Sequence, residues 1–329
     1  MSAFGIPNLA PALEATLIVQ MAQVEALLLS HTRSEYPFVD ETANHIVAAG
    51  GKRLRPLLTL LCGQYGDPNK EGLIAAAVAC EITHIATLYH DDVMDDAPLR
   101  RGVESANKRW NNTIAILTGD FLFAKSSDLL ADLGPAAVRL QARTFERLVI
   151  GQIMETQGAV AGMDPLEHYL KVVADKTGSL ISASARYGAM ISGASAEIME
   201  TVTIFGEKIG VAFQLADDVI DIASDSNQSG KTPGTDLREG VPTLVTLNVL
   251  NSKDSADYEL QQLLSGPIND EAIVQQVLLE LRGHRALDES REQLNKVARD
   301  ARLTLGPLPV SEATGALMSL CEAVIDRSA

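Results

Sequence analysis

The chain is short of positive charge, cysteine, aromatic side chains and strand-like patterning, and these shortages narrow what it can be. Lys and Arg total 27 against 43 Asp and Glu in 329 residues, a formal net charge of -16. That balance excludes a nonspecific nucleic-acid binder and a polybasic membrane surface. On its face it also speaks against anionic substrates. The three cysteines, Cys62, Cys80 and Cys321, have no metal-type spacing and no disulfide framework, so they read as small core residues of a reducing, cytoplasmic setting. The first residues, Met1 to Pro11, lack a basic region, a long apolar run and a lipidation motif. Apolar stretches such as Gly72 to Cys80 are too short to cross a bilayer, so no transmembrane segment is expected. A hydrophobic content of 46% excludes disorder and supplies an ample core.

What is present is helical periodicity. Ala and Leu are abundant, and alternating β-branched runs bounded by turns are scarce. Pro and Gly punctuate at helix-length intervals, near Tyr36-Pro37, Gly50-Gly51, Asp67-Pro68, Ala97-Pro98, Gly134-Pro135, Asp164-Pro165, Gly193 and Ser224 to Gly234. No linker or short-period repeat divides the chain. The expectation is a single all-α domain over residues 1–329, built from about a dozen helices. The stretch from Leu73 to Ile85 has no polar face and should lie in the interior.

Two aspartate clusters stand out. Asp91, Asp92 and Asp95 carry the first; Asp217, Asp218 and Asp221 carry the second. Residues three or four apart share a helix face. Each cluster falls at the C-terminal end of a mainly apolar helix, where the macrodipole is negative and like charges repel. One such cluster would be an ordinary solvated helix end. Two with the same spacing point to a divalent cation, and an all-carboxylate set favours Mg²⁺ over zinc. Basic residues lie among Gly and Pro nearby: Lys52, Arg53 and Arg55; Arg100 and Arg101; Lys176; Lys231. Each alone reads as a surface charge, whereas in so acidic a chain together they are candidates for binding phosphate. His84 lies on the stripe 84, 87, 88, 91, 95; His90 is one position off it and is read as structural.

In order and separation, these motifs from about Gly50 to Pro242 resemble those of the trans-prenyl diphosphate synthases. The resemblance rests on Gly51 to Pro56, Asp91 to Asp95, Arg100 to Gly102, Lys176 to Gly178, Phe213-Gln214 with Asp217 to Asp221, and Gly230-Lys231 leading to Asp236. It implies an isoprenoid-synthase-type helical bundle around a deep central cavity, usually a homodimer. It implies that Asp91, Asp92, Asp95, Asp217, Asp218 and Asp221 hold about three Mg²⁺ ions. Arg100, Lys176 and Lys231 then match positions serving the diphosphate of the allylic substrate. Lys52, Arg55, His84 and Arg101 match the pocket for isopentenyl diphosphate, and Thr177 and Gln214 lie beside the reacting carbon. Val241-Pro242 stands where the family often has a second basic residue, a place Arg238 could fill. Asp96 has no assigned role. The implied reaction is ionisation, condensation and proton loss to an all-trans polyprenyl diphosphate.

Ala86, Thr87, Thr83, Ala79 and Cys80 precede the first cluster and are all small. Short-chain members tend to carry a bulky aromatic at the positions of Ala86 and Thr87, so a product longer than C20, suited to a quinone side chain, is expected. Phe121, Phe123 and Phe145 are candidates for the floor of the product's path. A short-chain geranylgeranyl or farnesyl diphosphate synthase and a non-catalytic partner subunit are the alternatives. A histidine-based phosphohydrolase lacks converging His ligands, and a terpene cyclase would not need Lys52 and Arg55.

Overall fold

A computed structural model of the chain describes residues 2–223 and 233–327. In chain order its elements are α1 (Pro11–His31), α2 (Pro37–Ala48), α3 (Leu54–Gly63), α4 (Leu73–Met94), the strands β1 (Leu99–Arg100) and β2 (Val103–Glu104), α5 (Ala106–Arg109), α6 (Asn112–Asp132), α7 (Pro135–Gln157) and α8 (Pro165–Val173). A π-helical turn (Ala174–Gly178) leads into α9 (Ser179–Ser192) and α10 (Ala196–Ala223). There follow α11 (Thr235–Glu239), α12 (Leu244–Leu250), α13 (Tyr258–Leu263), α14 (Glu271–Arg282), α15 (Arg285–Thr304) and α16 (Glu312–Asp326). The fold is all-α, as expected, and the helix starts at Pro37, Pro135 and Pro165 use proline where its missing N–H costs nothing. The hairpin and the π-helical turn were not legible in the periodicity.

The chain divides into two compact units. One comprises Met1–Glu146, Leu180–Gly206 and Pro307–Leu317; the other comprises Arg147–Ser179, Glu207–Gly306 and Met318–Ala329. In the first, α4 is the central element and packs against α6, α3 and α1. Its Ala76, Ala77, Ala79 and Ala86 are fully or almost fully buried, so neighbouring backbones come close on several sides. Gly119 of α6 lies so near α4 that a Cβ there would stand 3.1 Å from the carbonyl oxygen of Ala86. In the second unit Val219, Ile222, Val245, Val249, Val274 and Leu281 form the heart of a separate apolar core.

By length and composition α1 and α4 could each cross a membrane, which corrects the expectation that no apolar stretch was long enough. Most of α4 is interior packing; Ile18, Val19 and Leu29 of α1 are exposed.

The hairpin pairs Leu99 with Glu104 and Arg100 with Val103, leaving a two-residue turn at Arg101 and Gly102. Both have positive φ, 53° and 79°, as a type I′ turn requires.

Helix α9 crosses α3 in close contact, and Thr59 Oγ1 donates to the Ser184 carbonyl at 3.0 Å. A Cβ at Gly188 would lie 2.1 Å from the Thr59 carbonyl oxygen. Gly188→Ala should therefore cost about 1–3 kcal/mol through forced separation of the two helices, measured as a lower midpoint in denaturant unfolding.

Candidate active site

In the first unit the apolar helix α4 ends in the first aspartate cluster. Asp92 is fully buried; its Oδ1 accepts from Arg100 Nε at 2.6 Å and lies 2.5 Å from Nη2. Its Oδ2 is buried with no hydrogen-bond partner. Burial pushes the Asp92 carboxyl up, against the pull of Arg100. Asp91 is half-buried and Asp95, the C-cap, is exposed. Asp96, unassigned from sequence, pairs with Lys108 at 2.6 Å.

Three arginines gather nearby around a carboxylate that sequence reasoning missed. Glu81 is 1% exposed; it meets Arg53 Nη1 at 2.9 Å and Arg101 Nη2 at 3.5 Å. Arg53 also holds Glu25 at 2.6 Å. Burial opposes the Arg53 charge, yet the Glu25 and Glu81 carboxylates hold its guanidinium protonated beyond the usual range. Arg101 donates to the carbonyls of Ile46 and Gly50 and packs over Gly51. Arg55 is half-buried at the residue level, and its Nε is buried with no hydrogen-bond partner. Burial, and then Arg55, Arg101 and Arg100, hold His84 well below its ordinary value, so it is a neutral imidazole. Lys52 is exposed beside them. Lys52, Arg55, His84, Arg100 and Arg101 share the first unit with the first cluster. A lone acid within the apolar run of α4 was the available signal for Glu81.

The second unit holds the other group. Asp218 is 3% exposed, and its carboxylate accepts from the Tyr169 hydroxyl, from Gln214 Nε2 at 3.0 Å and from the Leu244 N–H at 3.4 Å. Burial pushes Asp218 up to about 6, with these hydrogen bonds opposing it. Asp217 pairs with Arg327 at 2.8 Å, and Asp221 accepts from the Thr235 N–H at 3.4 Å. Thr177 Oγ1 donates to Gln214 Oε1 at 3.3 Å, so Thr177, Gln214 and Asp218 form one chain of hydrogen bonds. Lys176 Nζ meets Glu155 at 2.5 Å. Lys231 lies outside the described residues. Arg238 is committed to Glu271 at 2.8 Å. Tyr169 and Glu155 were missed because neither stands in a run with the aspartates.

Both clusters offer only carboxylate oxygens, a donor set that suits Mg²⁺, and the orphaned Oδ2 of Asp92 is the kind of acceptor a cation satisfies. Among the described residues no three His, Cys, Asp or Glu side chains converge as a ready ligand group. Asp92 and Asp218, the middle members, are instead engaged by Arg100 and Tyr169.

Thr83, Ala86 and Thr87 are all buried; Thr83 and Ala86 meet α6, and Thr87, one turn after Thr83, lies on the stripe of His84 and Asp91. Thr83 Oγ1 is 2.8 Å from Ser126 Oγ and accepts from Gln141 Nε2 at 2.8 Å. Of the three phenylalanines, Phe123 and Phe145 stand 4.6 Å apart, and with His90, Leu130 and Gln141 they line a cavity of about 390 Å³ within the first unit. Phe121 lies instead beside Lys125.

Because the folded His84 is held neutral while the unfolded residue titrates at about 6.5, the stability it contributes is fully present above that pH and is lost as pH falls below it. Between pH 7 and 5 the loss of thermal stability should be smaller in His84→Gln than in the parent chain, read by calorimetry at each pH. Tyr169→Phe leaves a buried carboxylate short of a donor and should cost about 1–3 kcal/mol in urea unfolding at pH 7.

Residues 36–281 match the family model described as polyprenyl synthetase. The chain is 45% identical to the nonaprenyl diphosphate synthase of Mycobacterium tuberculosis, over 93% of this chain and 92% of that one. It is 36% identical to heptaprenyl diphosphate synthase component 2 of Geobacillus stearothermophilus, over 91% and 93% of the two chains. Among solved structures, geranylgeranyl pyrophosphate synthase of Corynebacterium glutamicum, complexed with calcium and isoprenyl diphosphate, superposes with a TM-score of 0.87 at 41% identity, covering 97% of this chain and 98% of that one. The aspartate clusters, the arginines around Glu81 and the Lys176-Thr177 turn thus sit in a chain that belongs to the polyprenyl synthetase family.

Proposed function

We propose that the protein is a Mg²⁺-dependent prenyltransferase that condenses isopentenyl diphosphate with an allylic diphosphate. Its product is an all-trans polyprenyl diphosphate longer than C20, of the kind used for quinone side chains. The observation that carries this reading is the pair of apolar helices ending in aspartates, each with one buried carboxylate fixed by the protein and others beside it.

Asp91, Asp92, Asp95, Asp217, Asp218 and Asp221 are the residues that would hold Mg²⁺. When bound, the metal neutralises charge on the leaving diphosphate. Arg100, Lys176 and Lys231 add fixed positive charge to the allylic diphosphate. Lys52, Arg55 and Arg101 bind the diphosphate of isopentenyl diphosphate, with His84 as a neutral hydrogen-bonding neighbour. Thr177 and Gln214 set polar oxygens beside the carbon that becomes cationic. The apolar helices leading to the clusters exclude the water that would quench it. No side chain in the motifs is a poised base, so the final proton goes to the released diphosphate.

The small side chains at Thr83, Ala86 and Thr87, and the relatives named for nonaprenyl and heptaprenyl products, support the longer chain. The relative named for geranylgeranyl pyrophosphate keeps the short-chain reading in play. Exposed Ile116 and Leu117 on α6 and Val138 on α7 support a homodimer. The relative named as a component of its synthase supports the alternative of a partner subunit. A cytoplasmic enzyme accords with the three buried free cysteines.

The test is incubation of the pure chain with Mg²⁺, labelled isopentenyl diphosphate and allylic primers of increasing length, followed by product sizing. Products beyond C20 are expected; accumulation at C20 selects the short-chain reading, and no turnover by the chain alone selects the partner subunit. Thr87→Phe and Ala86→Phe should both shorten the product. Ala86→Phe should also lower stability because Ala86 is fully buried against α6. Unchanged product length in Thr87→Phe would refute the assigned path.

A further inference from the structure

Helix α7 meets the π-helical turn along one stripe. Arg147, Gly151 and Glu155 are successive i, i+4 positions and share a helix face. Arg147 Nε donates to Asp175 Oδ1 at 2.8 Å, and its Nη1 reaches Glu207 at 2.9 Å. At Gly151 a Cβ would stand 2.6 Å from the Lys176 backbone nitrogen and 3.0 Å from the Asp175 carbonyl carbon, so the helix approaches the turn backbone to backbone. Glu155 meets the Lys176 ammonium.

Asp175 is 7% exposed and carries a second cation, Lys171, at 3.2 Å. Its carbonyl accepts from Ser179 Oγ at 2.5 Å. A π-helical turn is a rare departure from the α-helix, commonest at functional sites, and has to be held by its surroundings. Burying a carboxylate is costly unless it is paired. The chemistry assigned to Lys176 and Thr177 uses neither Arg147 nor Asp175, yet α7 and the turn meet through that ion pair.

We infer that Arg147 is a positioning residue. Through Asp175 it fixes the π-helical turn against α7, so that the Lys176 ammonium and the Thr177 hydroxyl are presented together. The inference rests on the assignment of Lys176 and Thr177 to the allylic diphosphate and the reacting carbon.

The experiment compares the full-length parent, Arg147→Met and Arg147→Lys by amide hydrogen exchange and by steady-state kinetics with both substrates varied. In Arg147→Met, exchange at residues 174–178 should rise about tenfold or more while the rest of the fold stays protected. The allylic KM should rise about 10- to 100-fold with the isopentenyl diphosphate KM unchanged. Arg147→Lys, keeping the charge without the fork, should recover part of both effects. Parent-like exchange at 174–178 in Arg147→Met overturns the inference; so does an equal rise in both KM values. If Arg147→Met does not fold, Asp175→Asn is read the same way, and parent-like exchange there overturns it equally. Exchange needs no substrate, so an inactive parent chain would count against the proposed reaction while the clamp is still decided by exchange.

Discussion

A carboxylate taken out of water at the end of an apolar helix must be compensated where it stands, and this chain does so repeatedly. Asp92 is fully buried and answered by the Arg100 guanidinium. Glu81, about three turns deeper in α4, is answered by Arg53 and Arg101. Asp218 has no cation among the partners described and relies on a phenol, an amide and a backbone N–H; burial pushes its carboxyl up to about 6 against their pull. The difference is informative. A buried acid held only by neutral donors is still short of positive charge, and Asp92, though paired with Arg100, keeps a buried Oδ2 with no hydrogen-bond partner.

That shortage gives the acidic composition its meaning. Of the 43 acidic residues, six make up the two clusters, and others are spent on arginines that organise the surroundings. The net charge of -16 first spoke against anionic substrates. The few basic residues, however, are not spread evenly: Arg53, Arg55, Arg100 and Arg101 gather around Glu81, His84 and Asp92 of α4. Local charge around those side chains, rather than the sum over the chain, governs which ligands can approach.

The helical class, the placement of most breaks and both aspartate clusters were legible because each is written in adjacent residues: a period, a proline, a spacing of three or four. What was not legible depends on contacts between distant segments. Glu81 reads as one acid in an apolar run until Arg53, 28 residues away, is brought to it. Tyr169 lies 49 residues before Asp218, and no local pattern joins them. The π-helical turn at Ala174–Gly178 adds no unusual residue, so the periodicity passes through it unmarked. The sequence also made Thr83, Ala86 and Thr87 a single small-residue path. It did not show what Thr83 touches: its hydroxyl lies against Ser126 of α6, 43 residues away.

Arg53 and Arg101, the two arginines on Glu81, both have left-handed backbone, with φ of 49° and 53°. That conformation favours glycine or asparagine and costs a bulky residue about 1–3 kcal/mol. The two positions therefore face opposed demands, since a residue that relaxes the main chain discards the guanidinium. Keeping arginine at both surrenders stability for charge at a fixed place. These are sites where selection for robustness and selection for function pull in different directions.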